Sequence, residues 1–119
     1  MPEFDRRLAG GLRIHDLAEE RAHAAAGPAG SGRKARSLVK DGPLRVTVVI
    51  VEPGGRIAEH EAPGPITVQP LDGRIRFTAE GDTHELGPGQ LLALGAGLRH
   101  SVSSDEGGAF LLTHGHPGG

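Results

Sequence analysis

From Asp41 onward, glycine or proline breaks the chain again and again, and that punctuation limits the fold more than any other feature. "DGP", "EPGG", "APGP", "DG", "GD", "GPG", "GAG" and "DEGG" separate short segments rich in Val, Ile, Leu and Thr. Segments of that kind bounded by turn residues read as strands. In order they are "ARSLVK", "LRVTVVIVE", "RIAEHEA", "ITVQPL", "RIRFTAE", "THEL", "QLLAL", "LRHSVSS" and "AFLLTH", about nine in all. No helical pattern alternates with them, which argues against a parallel α/β sheet. The fold class that follows is all-β, a sandwich or a barrel.

Two strands carry more detail. In "RIRFTAE", Ile75, Phe77 and Ala79 fall on one face, and Arg74, Arg76, Thr78 and Glu80 on the other. The run from Val46 to Val51 is apolar at every position except Thr47. Both of its faces need cover, from a second sheet or from a second subunit. A homodimer is therefore expected. Asp72-Gly73 and Gly81-Asp82 read as two-residue hairpin turns.

Ahead of the strands, residues 12–26, "LRIHDLAEERAHAAA", read as one short helix, with Asp16 as N-cap and Glu19 as its capping-box partner. "GPAGSG", residues 27–32, ends it as a linker. The organisation expected is a helix and flexible linker over 1–33 and one β-domain over 34–119. A chain of 119 residues suits one domain with a modest core.

Composition narrows the function classes. The chain has no cysteine, which excludes disulfides and thiolate metal sites. A net charge of −2 gives no electrostatic ground for binding nucleic acid or an acidic membrane surface. No apolar run approaches the roughly 20 residues that span a bilayer, and "MPEFDRRLAGG" has no apolar signal core. A cytoplasmic protein is expected. Trp and Tyr are absent and Phe occurs three times, so recognition by stacking has little material.

The chemistry concentrates in two stretches. In "PGGRIAEHEAPGPITVQPLDG", Gly54, His60 and Gly73 stand at fixed spacing; further on, Gly89, Gly97 and His100 do the same. This pattern resembles the small single-domain cupins over roughly residues 44–114. The family's first motif reads Gly, five residues, His, one residue, His, three or four residues, Glu, six residues, Gly. Its second reads Gly, five residues, Pro, one residue, Gly, two residues, His, three residues, Asn. Here the second His position is Ala62, the Glu position Ile66, the Pro position Gly95 and the Asn position Ser104. The resemblance implies a double-stranded β-helix, or jelly-roll, barrel with a short N-terminal helix, and with His60 and His100 facing one interior.

In that family three imidazoles and a carboxylate hold a divalent transition metal, a set that suits Zn, Mn, Fe, Ni or Cu. This chain supplies His60 and His100 only, so a metal is expected to be weakly bound or absent. Gln69 is the candidate third donor. Strict alternation turns it away from the face of Ile66, and a bulge near Pro70 would reverse that. Glu59 and Glu61 should point outward, His84 should lie on the surface, and His114 and His116 belong to the last strand and tail. Arg74 and Arg76 read as a solvated face, with a carboxylate clamp as the alternative for them and for Arg99. The resulting expectation is a cupin-domain protein with a small-molecule or weak divalent-metal site around His60 and His100. Two alternatives stand beside it. One is a metal-dependent dioxygenase or isomerase acting on a small organic molecule. The other is a metal-free ligand-binding or interaction module.

Overall fold

The structure is a computed structural model that describes residues 6–28 and 32–117. Among the described residues one helix, α1 (Leu17–Ala25), precedes nine strands: β1 (Arg33–Asp41), β2 (Leu44–Val51), β3 (Arg56–His60), β4 (Ile66–Gly73), β5 (Ile75–Ala79), β6 (Asp82–Leu86), β7 (Leu92–Leu94), β8 (His100–Ser103) and β9 (Gly108–Gly115). They form two antiparallel sheets, β1-β2-β9-β4-β7 and β3-β8-β5-β6. Residues 29–31 of the expected linker lie outside the described residues.

The faces of the two sheets that meet enclose the main core, in which Val51, Val68, Ile75, Phe77 and Phe110 are almost wholly buried. The alternation read in β5 holds: Ile75, Phe77 and Ala79 are buried, while Arg74, Arg76, Thr78 and Glu80 are not.

The doubly apolar run in β2 is resolved inside the chain itself. Val49 and Val51 enter the main core. Val48 and Ile50 point to the other side, where a second apolar cluster forms with Leu38, Ala109 and Ala24 of α1. The cover expected from another sheet or subunit is thus the protein's own helix, and β2 no longer argues for a dimer. Polar contacts fasten the helix there. Arg21 Nε and Nη2 donate to the two carboxylate oxygens of Asp72 at 2.6 and 3.1 Å. Lys34 Nζ donates to the Ala25 carbonyl at 2.8 Å. Glu20, only 8 % exposed, accepts from Arg36 Nε at 2.7 Å and lies 2.5 Å from His15 Nδ1. Burial pushes the Glu20 carboxyl up, but the hydrogen bonds from His15 and Arg36 outweigh it and hold the group below its usual range.

Three local expectations shift. The helix starts at Leu17 rather than at residue 12, because extended Asp16 caps it and accepts from Glu19 N at 3.1 Å. The turn between β5 and β6 is Glu80-Gly81, one residue earlier than Gly81-Asp82. Ala79 pairs with Asp82, and both turn residues have positive φ, 54° and 79°, as a type I′ hairpin requires. Asp72-Gly73 is not a hairpin turn, since β4 and β5 belong to different sheets. Gly73 has φ +73°, and a Cβ there would stand 2.4 Å from the Gly107 carbonyl oxygen. It is the point where the chain crosses between sheets against the backbone of β9's approach.

Candidate functional site

His60 closes β3 and His100 opens β8, and the two are direct partners in the ladder. Simple alternation from Ile57, whose side chain is in the core, would send His60 outward. A bulge intervenes: Ile57 pairs with Val102 and His60 with His100, so β3 spends one residue more than β8 over the same span. The extra residue returns His60 to the inner face. The ring centroids lie 4.3 Å apart, inclined at 61°. His100 also stacks on Phe77, at 5.3 Å and 11°. His100 is 3 % exposed, whereas His60 opens toward solvent.

The same clamp orients both rings. His60 Nδ1 is 2.9 Å from the Ala58 carbonyl, and His100 Nδ1 is 2.9 Å from the Leu98 carbonyl, in each case two residues back along the chain. A carbonyl only accepts, so the neutral imidazoles carry their proton on Nδ1 and leave a lone pair on Nε2. Burial lowers the pKa of His100, and nearby His60 adds to this. The bond to Leu98 works in the opposite direction without cancelling the effect. The buried ring is therefore a neutral acceptor at pH 7.

Both rings line a cavity of about 80 Å³ between the sheets. Its walls are apolar, with Ile66 and Val68 of β4, Val49 of β2 and Phe110 of β9 among them. Arg33 and Ala35 of β1 also line it. Arg33 was not legible as a site residue, because no motif marks it; only the pairing of β1 with β2 places it against the barrel.

The other candidates fall elsewhere. Gln69 is exposed and lines no part of this cavity, while Ile66 and Val68 on the same strand do. The bulge near Pro70 exists, but its extra residue is Leu71, beyond Gln69, so it leaves Gln69 on the outer face. Glu59 is exposed and accepts from Arg99 Nε at 3.0 Å. Arg76 meets Glu85 at 3.1 Å and Asp105 at 2.7 Å, a solvated ion-pair face rather than a clamp in the barrel. His84 is exposed on β6, and His114 and His116 lie at the far end of β9. Ser104, at the Asn position of the second motif, has a structural task. Its hydroxyl donates to the Arg74 carbonyl at 2.6 Å and accepts from Gly107 N at 2.9 Å.

Among the described residues no three His, Asp or Glu side chains come together as a metal site. Two imidazoles without a carboxylate fall short of the three protein donors that a catalytic ion uses, and Ile66 puts hydrocarbon where the anion would stand. The donor set does not fit a firmly held divalent ion. What it offers is two oriented acceptors in the lining of an apolar cavity.

An antiparallel barrel of two facing sheets, with histidines on paired strands opening into its interior, defines a double-stranded β-helix protein with a central pocket. The sequence profile of the cupin domain matches residues 47–117, and the chain belongs to that family. Among solved structures it is similar to a conserved protein of unknown function from Streptococcus pyogenes, with 24% identity, 98% of this chain and 96% of that chain covered, and a TM-score of 0.73. A cupin superfamily protein from Desulfitobacterium hafniense DCB-2 matches at 17% identity over 78% of this chain and 86% of that one, with a TM-score of 0.70. KdgF from Halomonas sp. matches at 15% identity over 76% and 86%, with a TM-score of 0.65. At these identities the likeness is one of fold. Comparison with curated proteins finds no match.

Proposed function

We propose that this cupin domain is a binding module for a small, mostly apolar organic molecule, which fills the barrel interior and donates a hydrogen bond to the histidine pair. The observation that carries this reading is the fixed orientation of His60 and His100, both clamped through Nδ1 with Nε2 left as an acceptor, beside walls of Ile66, Val68 and Phe110. An apolar pocket with a few convergent polar groups is the usual form of a small-molecule site. The same Nε2 lone pairs also favour a second, weaker use, the loose binding of a divalent transition metal, since metal-bound histidines are commonly held in this way through the other ring nitrogen. The absence of cysteine is compatible with a cytoplasmic setting.

Ring and methyl NMR tests this. Titration with short alcohols should shift the Nε2 resonance of His100 together with the methyl groups of Val49, Val68 and Ile66. Zinc or manganese should bind loosely and be removed by mild chelation. Tight binding of either ion, with no response of the cavity methyls to any alcohol, would overturn the reading in favour of a metal centre.

A further inference from the structure

The mouth of the barrel carries a charge pattern that selects among small molecules. Arg33 lines the cavity, and it also lines a wider outer funnel with Arg56, Ile57, Glu59 and His60. Arg33, Ile57 and His60 are common to both, so funnel and cavity adjoin at these residues. The arginines elsewhere set the contrast. Arg21, Arg36, Arg76 and Arg99 each hold a carboxylate of this chain. Arg33 and Arg56 hold none among the described residues. The one carboxylate lining the funnel, Glu59, is already engaged by Arg99 at 3.0 Å. The funnel therefore presents two uncommitted guanidinium groups around the entrance to an apolar pocket.

The two ends of this space ask for different chemistry. At the mouth, guanidinium groups only donate, and their forked geometry matches a carboxylate. Past His60, which lines both funnel and cavity, the Nε2 lone pair of buried His100 repels a carboxylate and accepts from a hydroxyl. Between them stand hydrocarbon walls in a cavity of about 80 Å³, space for only a few carbon atoms.

Resting on the small-molecule reading above, we propose that the ligand is a short hydroxylated monocarboxylate, bound with its carboxylate at the mouth on Arg33 and Arg56, its chain past His60 along the apolar walls and its hydroxyl on buried His100. This orientation places the anion where solvent still reaches it, and avoids the cost of burying an unpaired charge.

The test uses the full chain, with 4-hydroxybutyrate and the matched neutral 4-hydroxybutyramide as probes, followed by calorimetry in low and high salt. The acid should bind about tenfold or more tightly than the amide in low salt, as expected for charge-assisted hydrogen bonds. Added salt should narrow that gap, because the charges at the mouth are exposed. The variant Arg33→Gln with Arg56→Gln should remove the preference for the acid over the amide and leave the melting temperature unchanged. Equal binding of acid and amide by the parent, or a preference for the acid that survives in the double variant, would overturn the role of the two arginines and leave the pocket reading standing. Binding of neither probe would overturn the pocket reading as well.

Discussion

Putting the two missing donors back is the sharpest probe of how the barrel faces are arranged. Ile66 is 5 % exposed and lines the cavity, and half-buried Ala62 packs against the same core. In the variant Ala62→His with Ile66→Glu, the apoprotein loses the burial of the isoleucine side chain and gains a carboxyl in an apolar space. Loss of the buried apolar side chain alone costs about 1.5–3 kcal/mol. The carboxyl escapes part of the further cost by staying protonated, its pKa raised by desolvation. For a domain of this length, about 2–3 kcal/mol corresponds to a fall in melting temperature of roughly 10 °C. A divalent ion reverses the sign of the change, since carboxylate and imidazoles now have a cation to meet. Ion present at about a thousand times its dissociation constant returns about 4 kcal/mol. The expected signature is an apoprotein less stable than the parent and a zinc-loaded form that recovers most of the loss, while zinc moves the parent little. Calorimetric titration and thermal melts of the parent, the restored variant and the variant carrying His100→Ala as well measure it. Equal zinc affinity in all three would mean that positions 60, 62, 66 and 100 do not share one interior, and the proposed orientation of the histidines would fall with it.

Two further outcomes follow from the helix and from the buried histidine. Removing residues 1–26 strips the cover from Val48 and Ile50, and the shortened chain should associate further in light scattering than the full chain does; a shortened chain with the same association state and stability as the parent would show that α1 is not the cover. The pKa of His100 lies below its ordinary value of 6.5, so the unfolded chain takes up a proton that the folded ring resists. Stability should therefore be full above pH 6.5 and fall as the pH drops from there through the lowered folded value; burial gives His114 a shift of the same direction. Urea denaturation between pH 7.5 and 5 should show a shallower decline for His100→Gln than for the parent, and identical slopes would contradict the buried, neutral state of the ring.

What the sequence made legible, and what it hid, divides along a physical line. The inward set Ile75, Phe77 and Ala79 follows from a period of two within one strand, and Asp16 as N-cap follows from the chemistry of its own side chain. Neither needs knowledge of a partner. The positions of His60 and His100 were carried by motif spacing, not by alternation, for alternation alone sends His60 to the wrong face. The bulge that corrects it exists only in the pairing of β3 with β8, and no residue of "RIAEH" announces it.

The other discrepancies share that origin. Asp72-Gly73 has the local chemistry of a hairpin, yet β4 pairs with β7 and β9 while β5 pairs with β6 and β8, so the same dipeptide becomes a crossing between sheets. The run from Val46 to Val51 declared that it needed two covers without naming the second, since α1 reaches it across a linker and through contacts such as Arg21 with Asp72 that lie 51 residues apart in sequence. Gln69 is the converse case. A bulge near Pro70 was the condition for turning the amide inward; one is present, but its extra residue lies past Gln69, and a ladder permits no intermediate outcome. Arg33 belongs with these. An arginine next to a Gly/Ser linker carries no local sign of a binding role. It acquires one because β1 pairs with β2 in a register that sets Arg33 opposite Val51 and Ala35 opposite Val49, which brings one edge of the sheet to the entrance of the barrel. The histidine pair lines the pocket and can be read from motif spacing. Of the two arginines proposed to choose its ligand, Arg56 stands between Gly54 and His60 of the first motif and Arg33 on a strand outside both, so two chains with the same motif residues can differ in what they bind through position 33 at the rim.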